Sequence, residues 1–389
     1  MASATRMVLA ALLACLLTAV PAEAGHVACG DRITQDTRLD SNLLECPGAG
    51  LVIAGNDVTV DFAGHALDGI GSETEEAIGI TMEPHVDRFT LVRGTISEFF
   101  CAVMTQEPGL LDRMRIVDNP YCGIESRANV EVRNSFFAGN GAASDGPNRV
   151  TGSTFIDNTD HGIRTRGTGF IVGNVVRRNP TGIILEEGTG MIARNFVTDN
   201  PGAGIDWNFS AAGTVRDNFV ARNGYGITLH QEEYRANPLI ERNVVLGNRV
   251  NGIHGHWAGR GSLVTRNLVY GNGGSGIHAT GFGPCPEVRD NYVAHNGLNG
   301  IAMVEAFTPF SGSQGVTPEC SGSVSGNIAR HNAADGIDVA DMTVLVAVGR
   351  NRADRNGELG IEARDVIDGG GNRARRNRDP RQCVGVTCR

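Results

Sequence analysis

The chain has 389 residues, a formal net charge of −9, 53 glycines and 5% aromatic residues. All of its basic residues are arginine, which excludes mechanisms that need a lysine base or a lysine Schiff base. The negative charge argues against general nucleic-acid binding, which relies on a basic surface. Glycine is about twice as frequent as the usual ~7% and shows no Gly-X-Y period, which is typical of a protein with many turns.

The N-terminus has the features of a secretory signal peptide over residues 1–24. Arg6 precedes an apolar run at 7–20, and residues 22–24 form a small-x-small cleavage site. The run is shorter than the ~20 residues that a spanning helix needs, so no membrane span is expected. A lipoprotein signal ending at Cys15 is the alternative. Either signal predicts an extracytoplasmic protein, secreted or periplasmic.

Residues 25–76 lack the repeat that follows and contain Cys29 and Cys46, so we interpret them as an N-terminal cap and a first, imperfect coil. Eight cysteines remain once Cys15 is removed with the signal, and an even number in an exported chain predicts disulfides. No C-x-x-C spacing occurs, so a structural metal site built on cysteine is not expected.

A repeat with a dominant period of 22–24 residues runs through the rest of the chain. The dipeptide Gly-Ile recurs at 162, 182, 204, 226, 252, 276 and 300, with further copies at 79, 123, 336 and 360. An Asn-x-x-x-x-Asn element keeps step with it, as in Asn218/Asn223 and Asn243/Asn248, with apolar residues between. We expect asparagine at the bends because it tolerates the left-handed conformation, and identical asparagines on stacked strands could bond in ladders.

These patterns predict a solenoid of short strands. A leucine-rich repeat would show L-x-x-L-x-L, and a propeller would need blades of about 40 residues, so a parallel β-helix is what remains. Cys101 and Cys122 precede equivalent strands and should lie on adjacent coils within disulfide range, as should Cys285 and Cys320. Cys29–Cys46 and Cys383–Cys388 would close the two ends.

The Gly-Ile and Asn-x-x-x-x-Asn repeats over residues 77–377 resemble the right-handed parallel β-helix repeats of the NosD-like and pectate-lyase-like superfamily. The resemblance implies an all-β, single-stranded right-handed parallel β-helix with disulfide-closed caps, the C-terminal one over residues 378–389. Members include polysaccharide lyases, glycoside hydrolases, uronan epimerases and periplasmic accessory proteins of copper enzymes. The Asp-Pro-His signature of the epimerases and the full polygalacturonase residue set are absent.

Four consecutive strands carry polar residues on one face. If Ile and the residue two after it point inward, the outward positions bring together Asp206, Asn208, Thr228, His230, His254, His256 and His278. Such imidazoles could supply a general base near neutral pH, oriented by Asp206 or Glu232. In a lyase or epimerase the base removes the proton next to a uronate carboxylate, which Arg260 could neutralise. Trp257, Asn208 and Glu232 are further candidate substrate-binding residues.

Other interpretations of the same residues stay open. Exposed histidines can occur without a function, and the same imidazoles with a carboxylate would suit a divalent metal, whether Ca, Zn or Cu, although the sequence requires no cofactor. A hydrolase would use paired carboxylates, with Asp338 and Asp341 or Glu232 and Glu233 as candidates. Asp338 and Asp341 should face opposite sides of a straight strand, which weakens that pair.

Two classes of function therefore remain. The first is a carbohydrate-active enzyme, namely a polysaccharide lyase, epimerase or glycoside hydrolase. The second is a non-catalytic envelope protein that binds glycan or metal on the same face. We expect a monomer whose partner is a polysaccharide or cell-envelope glycan, with an insertion at 307–318 bordering the site. The arginine run at 373–381 is expected to discourage end-to-end association of solenoids.

Overall fold

The computed structural model describes residues 26–71, 74–208, 213–230, 238–256, 262–280, 286–304, 322–340 and 346–389. Within these residues the chain consists of short strands joined by turns, and no helix is present. No helix among them could therefore cross a membrane. The signal-peptide prediction for residues 1–24 lies outside the described residues and stays a prediction.

The strands form three parallel sheets, and each full coil contributes one strand to each sheet in turn. The first sheet has 16 strands: Arg32–Ile33, Leu51–Ile53, Ile78–Met82, Cys101–Thr105, Cys122–Ser126, Ala142–Gly146, His161–Arg166, Thr181–Glu186, Ala203–Asn208, Tyr225–His230, Ile253–His256, Ile277–Thr280, Ile301–Val304, Ile337–Ala340, Ile361–Ala363 and Cys383–Val384.

The second sheet has 15 strands: Thr37–Arg38, Val58–Asp61, Phe89–Val92, Gly109–Asp112, Val130–Arg133, Arg149–Thr151, Gly169–Val172, Gly190–Ala193, Gly213–Arg216, Pro238–Glu241, Leu263–Thr265, Glu287–Arg289, Ser323–Ser325, Ala347–Gly349 and Ile367–Gly370.

The third sheet has 14 strands: Ala66–Asp68, Thr95–Ser97, Arg115–Val117, Phe136–Ala138, Thr154–Ile156, Val175–Arg177, Phe196–Thr198, Phe219–Ala221, Val244–Leu246, Leu268–Tyr270, Tyr292–Ala294, Ile328–Arg330, Arg352–Asp354 and Arg373–Arg375. The prediction of a parallel β-helix is confirmed.

The core is a set of stacked apolar columns between the three sheets. In the first sheet Ile205, Ile227 and Ile253 are register partners and fully buried. The preceding glycine is required by space: a Cβ on Gly226 would lie 2.2 Å from the carbonyl oxygen of Gly252. The glycine of the Gly-Ile dipeptide therefore occupies a position where the next coil leaves no room for a side chain.

Two asparagine ladders run inside the solenoid, one at each end of the third-sheet strands. Asn218 shows the pattern: its side-chain Nδ2 donates to Asn243 Oδ1 at 3.0 Å, and its Oδ1 accepts from Asn195 Nδ2 at 3.0 Å. The expected ladders are present, but the reason given for asparagine at the bends is wrong. The left-handed residue is the one before each asparagine, such as Asp217 with φ 55°.

The disulfides follow the register. Cys101 and Cys122 are strand partners with a Cα–Cα distance of 4.5 Å and are bonded to each other. Cys29–Cys46 and Cys383–Cys388 are bonded near the two ends, as predicted for disulfide-closed caps. The strands Glu287–Arg289 and Ser323–Ser325 are paired as expected, but the predicted Cys285–Cys320 bond lies outside the described residues.

Candidate functional site

The polar candidates lie on the outward face of the first sheet, in two rows that cross the coils. Inward residues on either side of Asp206, namely Ile205 and Trp207, are fully buried, whereas the side chain of Asp206 is 21% exposed. The central row is defined by strand register and contains Asp145, Arg164, Ile184, Asp206, Thr228, His254, His278, Ala302, Asp338 and Glu362. The lateral row, two residues further along each strand, contains Arg166, Glu186, Asn208, His230, His256 and Thr280.

His254 and His278, the imidazole pair, lie on adjacent strands with their Nδ1 atoms 3.1 Å apart. Their rings stack with centroids 5.1 Å apart, and the Tyr225 ring lies 5.8 Å from that of His254. Asn251 holds the pair in place. Its Oδ1 accepts from the backbone N–H of Ser275 at 2.9 Å, so its Nδ2 faces the two Nδ1 atoms at 3.3 and 3.4 Å.

Two proton arrangements fit these contacts. Either Asn251 Nδ2 donates to the unprotonated Nδ1 atoms, or one Nδ1 carries a proton and donates it to the other at 3.1 Å. The ring that donates then has an unprotonated Nε2, and the ring that accepts has an Nε2–H. Burial lowers the pKa of His278, which keeps this ring neutral at ordinary pH. With the proton shared between the two rings, the pair combines a base and a proton donor in one unit.

A second cluster surrounds Asp206, which lies two coils before His254 in the chain. The hydroxyl of Thr228 donates to Asp206 Oδ1 at 2.5 Å, and Asn208 Nδ2 donates to Oδ2 at 3.1 Å. The His230 Nε2 lies 3.9 Å from Asp206 Oδ1, which is an ion-pair distance rather than a hydrogen bond. Thr228 is the register partner of both Asp206 and His254, so it connects the two clusters.

Towards the C-terminus the central row continues into carboxylates. Asp338 accepts a hydrogen bond from Asn299 Nδ2 at 2.9 Å, and Asn299 Oδ1 accepts from the backbone of Asp335 at 2.9 Å. Burial raises the pKa of Asp335 to about 6, with further contributions from the charges of Asp338, Glu358 and Glu362. A carboxyl group that titrates near neutral pH therefore lies beside the row.

Towards the N-terminus the face is occupied by ion pairs. Arg164 lies 2.9 Å from Glu186 and 3.7 Å from Asp145, and Arg166 lies 3.4 Å from Glu186. These charges neutralise one another, so we place the chemically active part of the face between Asp206 and Asp338.

Several predicted site residues cannot be placed. Glu232, Glu233, Trp257, Arg260, Asp341 and the insertion at 307–318 all lie outside the described residues. His256 is the strand partner of His230, but its side chain also lies outside the described part of the chain. Their roles stay predictions.

Three residues that contribute to the site were missed from the sequence: Tyr225, Asn251 and Asp335. Asn251 and Asp335 occupy the same place in their coils, immediately before Gly-Ile, as do Ser275 and Asn299. A polar residue immediately before Gly-Ile, next to a strand with an outward histidine or aspartate, was the sequence feature that could have identified Asn251 and Asp335.

The described residues hold no group of three or more His, Cys, Asp or Glu side chains that could bind a metal ion. The imidazole pair by itself offers two nitrogen ligands. A complete metal site would therefore need ligands beyond the pair.

Three parallel sheets around one apolar core define the chain as a β-helix repeat protein. Its central coils, residues 124–304, match the model of the family described as periplasmic copper-binding protein NosD. The match covers slightly less than half of the chain and includes both members of the imidazole pair. The NosD-like resemblance of the repeats is thus confirmed. No curated protein matches the sequence.

Solved structures share the fold at low identity. The periplasmic alginate epimerase AlgG is 12% identical with a TM-score of 0.40, over 91% of this chain and 77% of that chain. The A-module of the Azotobacter vinelandii mannuronan C-5 epimerase AlgE6 is 16% identical with a TM-score of 0.30, over 78% and 79%. DFA-IIIase from Arthrobacter chlorophenolicus A6, without its lid and in complex with GF2, is 14% identical with a TM-score of 0.25, over 91% and 86%. These likenesses concern the fold alone.

Proposed function

We propose that the protein is exported and binds a uronate polysaccharide across the outward face of the first sheet, where the imidazole pair acts on it as a lyase or epimerase. The observation that carries the proposal is the 3.1 Å contact between His254 Nδ1 and His278 Nδ1 beside Asn251. Rows of polar side chains on rigid adjacent strands suit an extended polymer that crosses the coils.

The proposed reaction uses the two Nε2 atoms of the imidazole pair, one unprotonated and the other protonated. The unprotonated Nε2 removes the proton next to the uronate carboxylate, and the Nε2–H of the other ring is a proton donor. In a lyase that proton goes to the departing glycosidic oxygen, and in an epimerase it returns to the sugar carbon from the opposite face. Arg260, Trp257 and the Asp206 cluster are proposed to bind the polymer, with Arg260 opposite the carboxylate.

Turnover of uronate polymers tests this proposal. The purified protein is incubated with alginate and with polygalacturonate, and unsaturated ends are followed by ultraviolet absorbance, while epimerisation is followed by NMR. We expect activity on at least one polymer and its loss in His254→Ala/His278→Ala. The control His65→Ala/His85→Ala removes two histidines far from the face and should stay active. Activity that survives in the first variant would contradict the assignment.

A metal-binding envelope protein is a second candidate, favoured by one observation. Two nitrogens bound to one tetrahedral metal at ~2.0 Å lie roughly 3.3 Å apart, close to the separation in the imidazole pair. The pair would then provide two ligands to copper or zinc. Metal analysis after dialysis, followed by copper and zinc titration, tests it. A stoichiometric site that His254→Ala/His278→Ala removes would favour this candidate, and the absence of bound metal in both proteins would dismiss it.

A further inference from the structure

A second charged surface lies on the third sheet, in the three coils that follow those of the imidazole pair. A cleft of about 200 Å³ is lined by Arg330, Arg352, Asp354, Arg355, Arg375 and Arg376, which we call the arginine cleft. Five arginines face a single aspartate in a chain whose net charge is −9. Arg352 uses that aspartate, with its Nε 2.5 Å from Asp354 Oδ2.

In earlier coils, an arginine at the same turn position has an aspartate partner, which the arginines of the cleft lack. Each third-sheet strand from Thr95–Ser97 onward is followed by a turn residue with positive φ, and these turn residues stack from coil to coil. Arg178 forms two hydrogen bonds with Asp157 of the preceding coil at 2.6 and 2.7 Å, and Arg222 does the same with Asp199 at 2.7 and 2.8 Å. A turn arginine in this column is thus normally neutralised by the coil before it.

In the last coils the column changes to His295, His331, Arg355 and Arg376. Arg355 follows His331 and Arg376 follows Arg355, so two arginines are neighbours in the column and neither follows an aspartate. Among the described residues, no carboxylate forms an ion pair with Arg330, Arg355, Arg375 or Arg376. The Nε of Arg330 is also buried without a hydrogen-bond partner within that part of the chain. Like charges on adjacent strands are destabilising, and an unpaired buried donor adds to the cost.

A role in discouraging end-to-end association of solenoids explains only some of the arginines in the cleft. Charges on an edge strand discourage association, and Arg375 lies on the edge strand Arg373–Arg375. Arg330, however, lies on the third strand from that edge. Burial lowers the pKa of His331, and the positive charges of His295, Arg355 and Arg330 lower it further. The positive electrostatic field therefore extends inward from the edge strand of the third sheet.

We propose that the arginine cleft binds a phosphate-bearing anion. The arginine cleft gathers four guanidinium groups that have no carboxylate partner among the described residues. A compact ligand with more than one negative charge would neutralise them. A phosphate monoester carries about −1.5 to −2 charges and three strong acceptor oxygens, which guanidinium groups bind with paired hydrogen bonds. A single uronate carboxylate brings one charge and leaves most of the cleft unpaired. The source of the phosphate is either a free phosphate compound or a lipid headgroup.

Calorimetric titration with inorganic diphosphate, at constant ionic strength set by chloride, tests the proposal. We expect binding to the full chain and a weakening of about ten-fold or more in Arg355→Gln/Arg376→Gln, because two charge-assisted contacts are removed. The control Arg178→Gln/Arg222→Gln removes the same charge from the same column, where each arginine already has an aspartate, and its affinity should match that of the unaltered protein.

Two further measurements complete the test. Diphosphate should raise the unfolding temperature of the unaltered protein above that in chloride of equal ionic strength, which needs no variant. Sedimentation with vesicles of phosphatidic acid, compared with phosphatidylcholine, distinguishes the sources: capture by the former alone assigns the cleft to a lipid headgroup. The proposal is overturned if neither diphosphate nor phosphatidic acid binds, if both variants lose affinity equally, or if uronate oligomers bind the cleft in their place.

Discussion

Removal of one rung of an asparagine ladder should destabilise the protein strongly. We consider Asn218→Ala, at a position that is 1% exposed. The side-chain Oδ1 accepts from the Asn195 backbone N–H at 2.9 Å and from Asn195 Nδ2 at 3.0 Å, and Nδ2 donates to the Ile192 carbonyl at 2.9 Å. Asn243 Oδ1 keeps its bond from the Asn218 backbone at 3.1 Å.

The magnitude follows from the partners left behind. Alanine leaves the backbone N–H and one side-chain hydrogen of Asn195 unpaired in the interior, at about 1 to 3 kcal/mol each. Partial relaxation and entry of water reduce the upper part of that range. We therefore expect Asn218→Ala to lower the free energy of unfolding by about 2 to 4 kcal/mol.

Urea unfolding followed by circular dichroism measures the effect. The control is Asn129→Ala, an exposed asparagine that accepts one hydrogen bond from Asn148 at 2.7 Å. Its cost should stay within about 0.5 kcal/mol, as is usual for surface positions. If the two variants lost equal stability, the buried ladder would contribute no more to folding than a surface hydrogen bond, and the reasoning would be refuted.

Two further predictions concern a buried carboxyl and a disulfide. The pKa of Asp335 is about 6 when folded against 3.8 when unfolded, so this carboxyl makes a contribution to stability that falls as pH rises from about 4 to 6. Relative to the wild type, Asp335→Asn should gain stability over this range, by up to about 3 kcal/mol at pH 7, whereas Asp118→Asn should follow the wild-type profile. Urea midpoints measured across this pH range check it, and parallel profiles for wild type and Asp335→Asn would refute it. Cys101→Ala/Cys122→Ala opens a link across 21 residues and should lower stability by roughly 3 kcal/mol, which an unchanged midpoint under oxidising conditions would contradict.

The fold could be predicted because the same sequence pattern recurs from coil to coil. Gly-Ile and the paired asparagines fix strand positions within a coil, and identical spacing makes the next coil align, which is why the Cys101–Cys122 register followed from sequence. The role of asparagine did not follow. Its side chain binds asparagines 23 to 25 residues away, as for Asn218, and those contacts outweigh its local preference for left-handed turns.

The site was predictable as a face but not as a set of contacts. Strand alternation placed Asp206, His230, His254 and His278 outward. The hydrogen bond that positions the imidazole pair comes from Asn251, which belongs to the turn before the strand and reaches His278 across 27 residues. The raised pKa of Asp335 likewise depends on burial and on charges from other coils, which strand alternation does not reveal.

The central claim is that the outward face of the first sheet, at the imidazole pair, is the working surface. Calorimetric binding of uronate oligosaccharides to the wild type, His254→Ala/His278→Ala and His65→Ala/His85→Ala tests it most directly. All three proteins should unfold at similar urea concentrations, since outward positions change stability by only about 0.5 kcal/mol. We predict that the wild type and the His65/His85 variant bind with equal affinity and that the His254/His278 variant binds at least about ten-fold more weakly. Equal affinity in all three proteins, or equal loss in both variants, would contradict the claim.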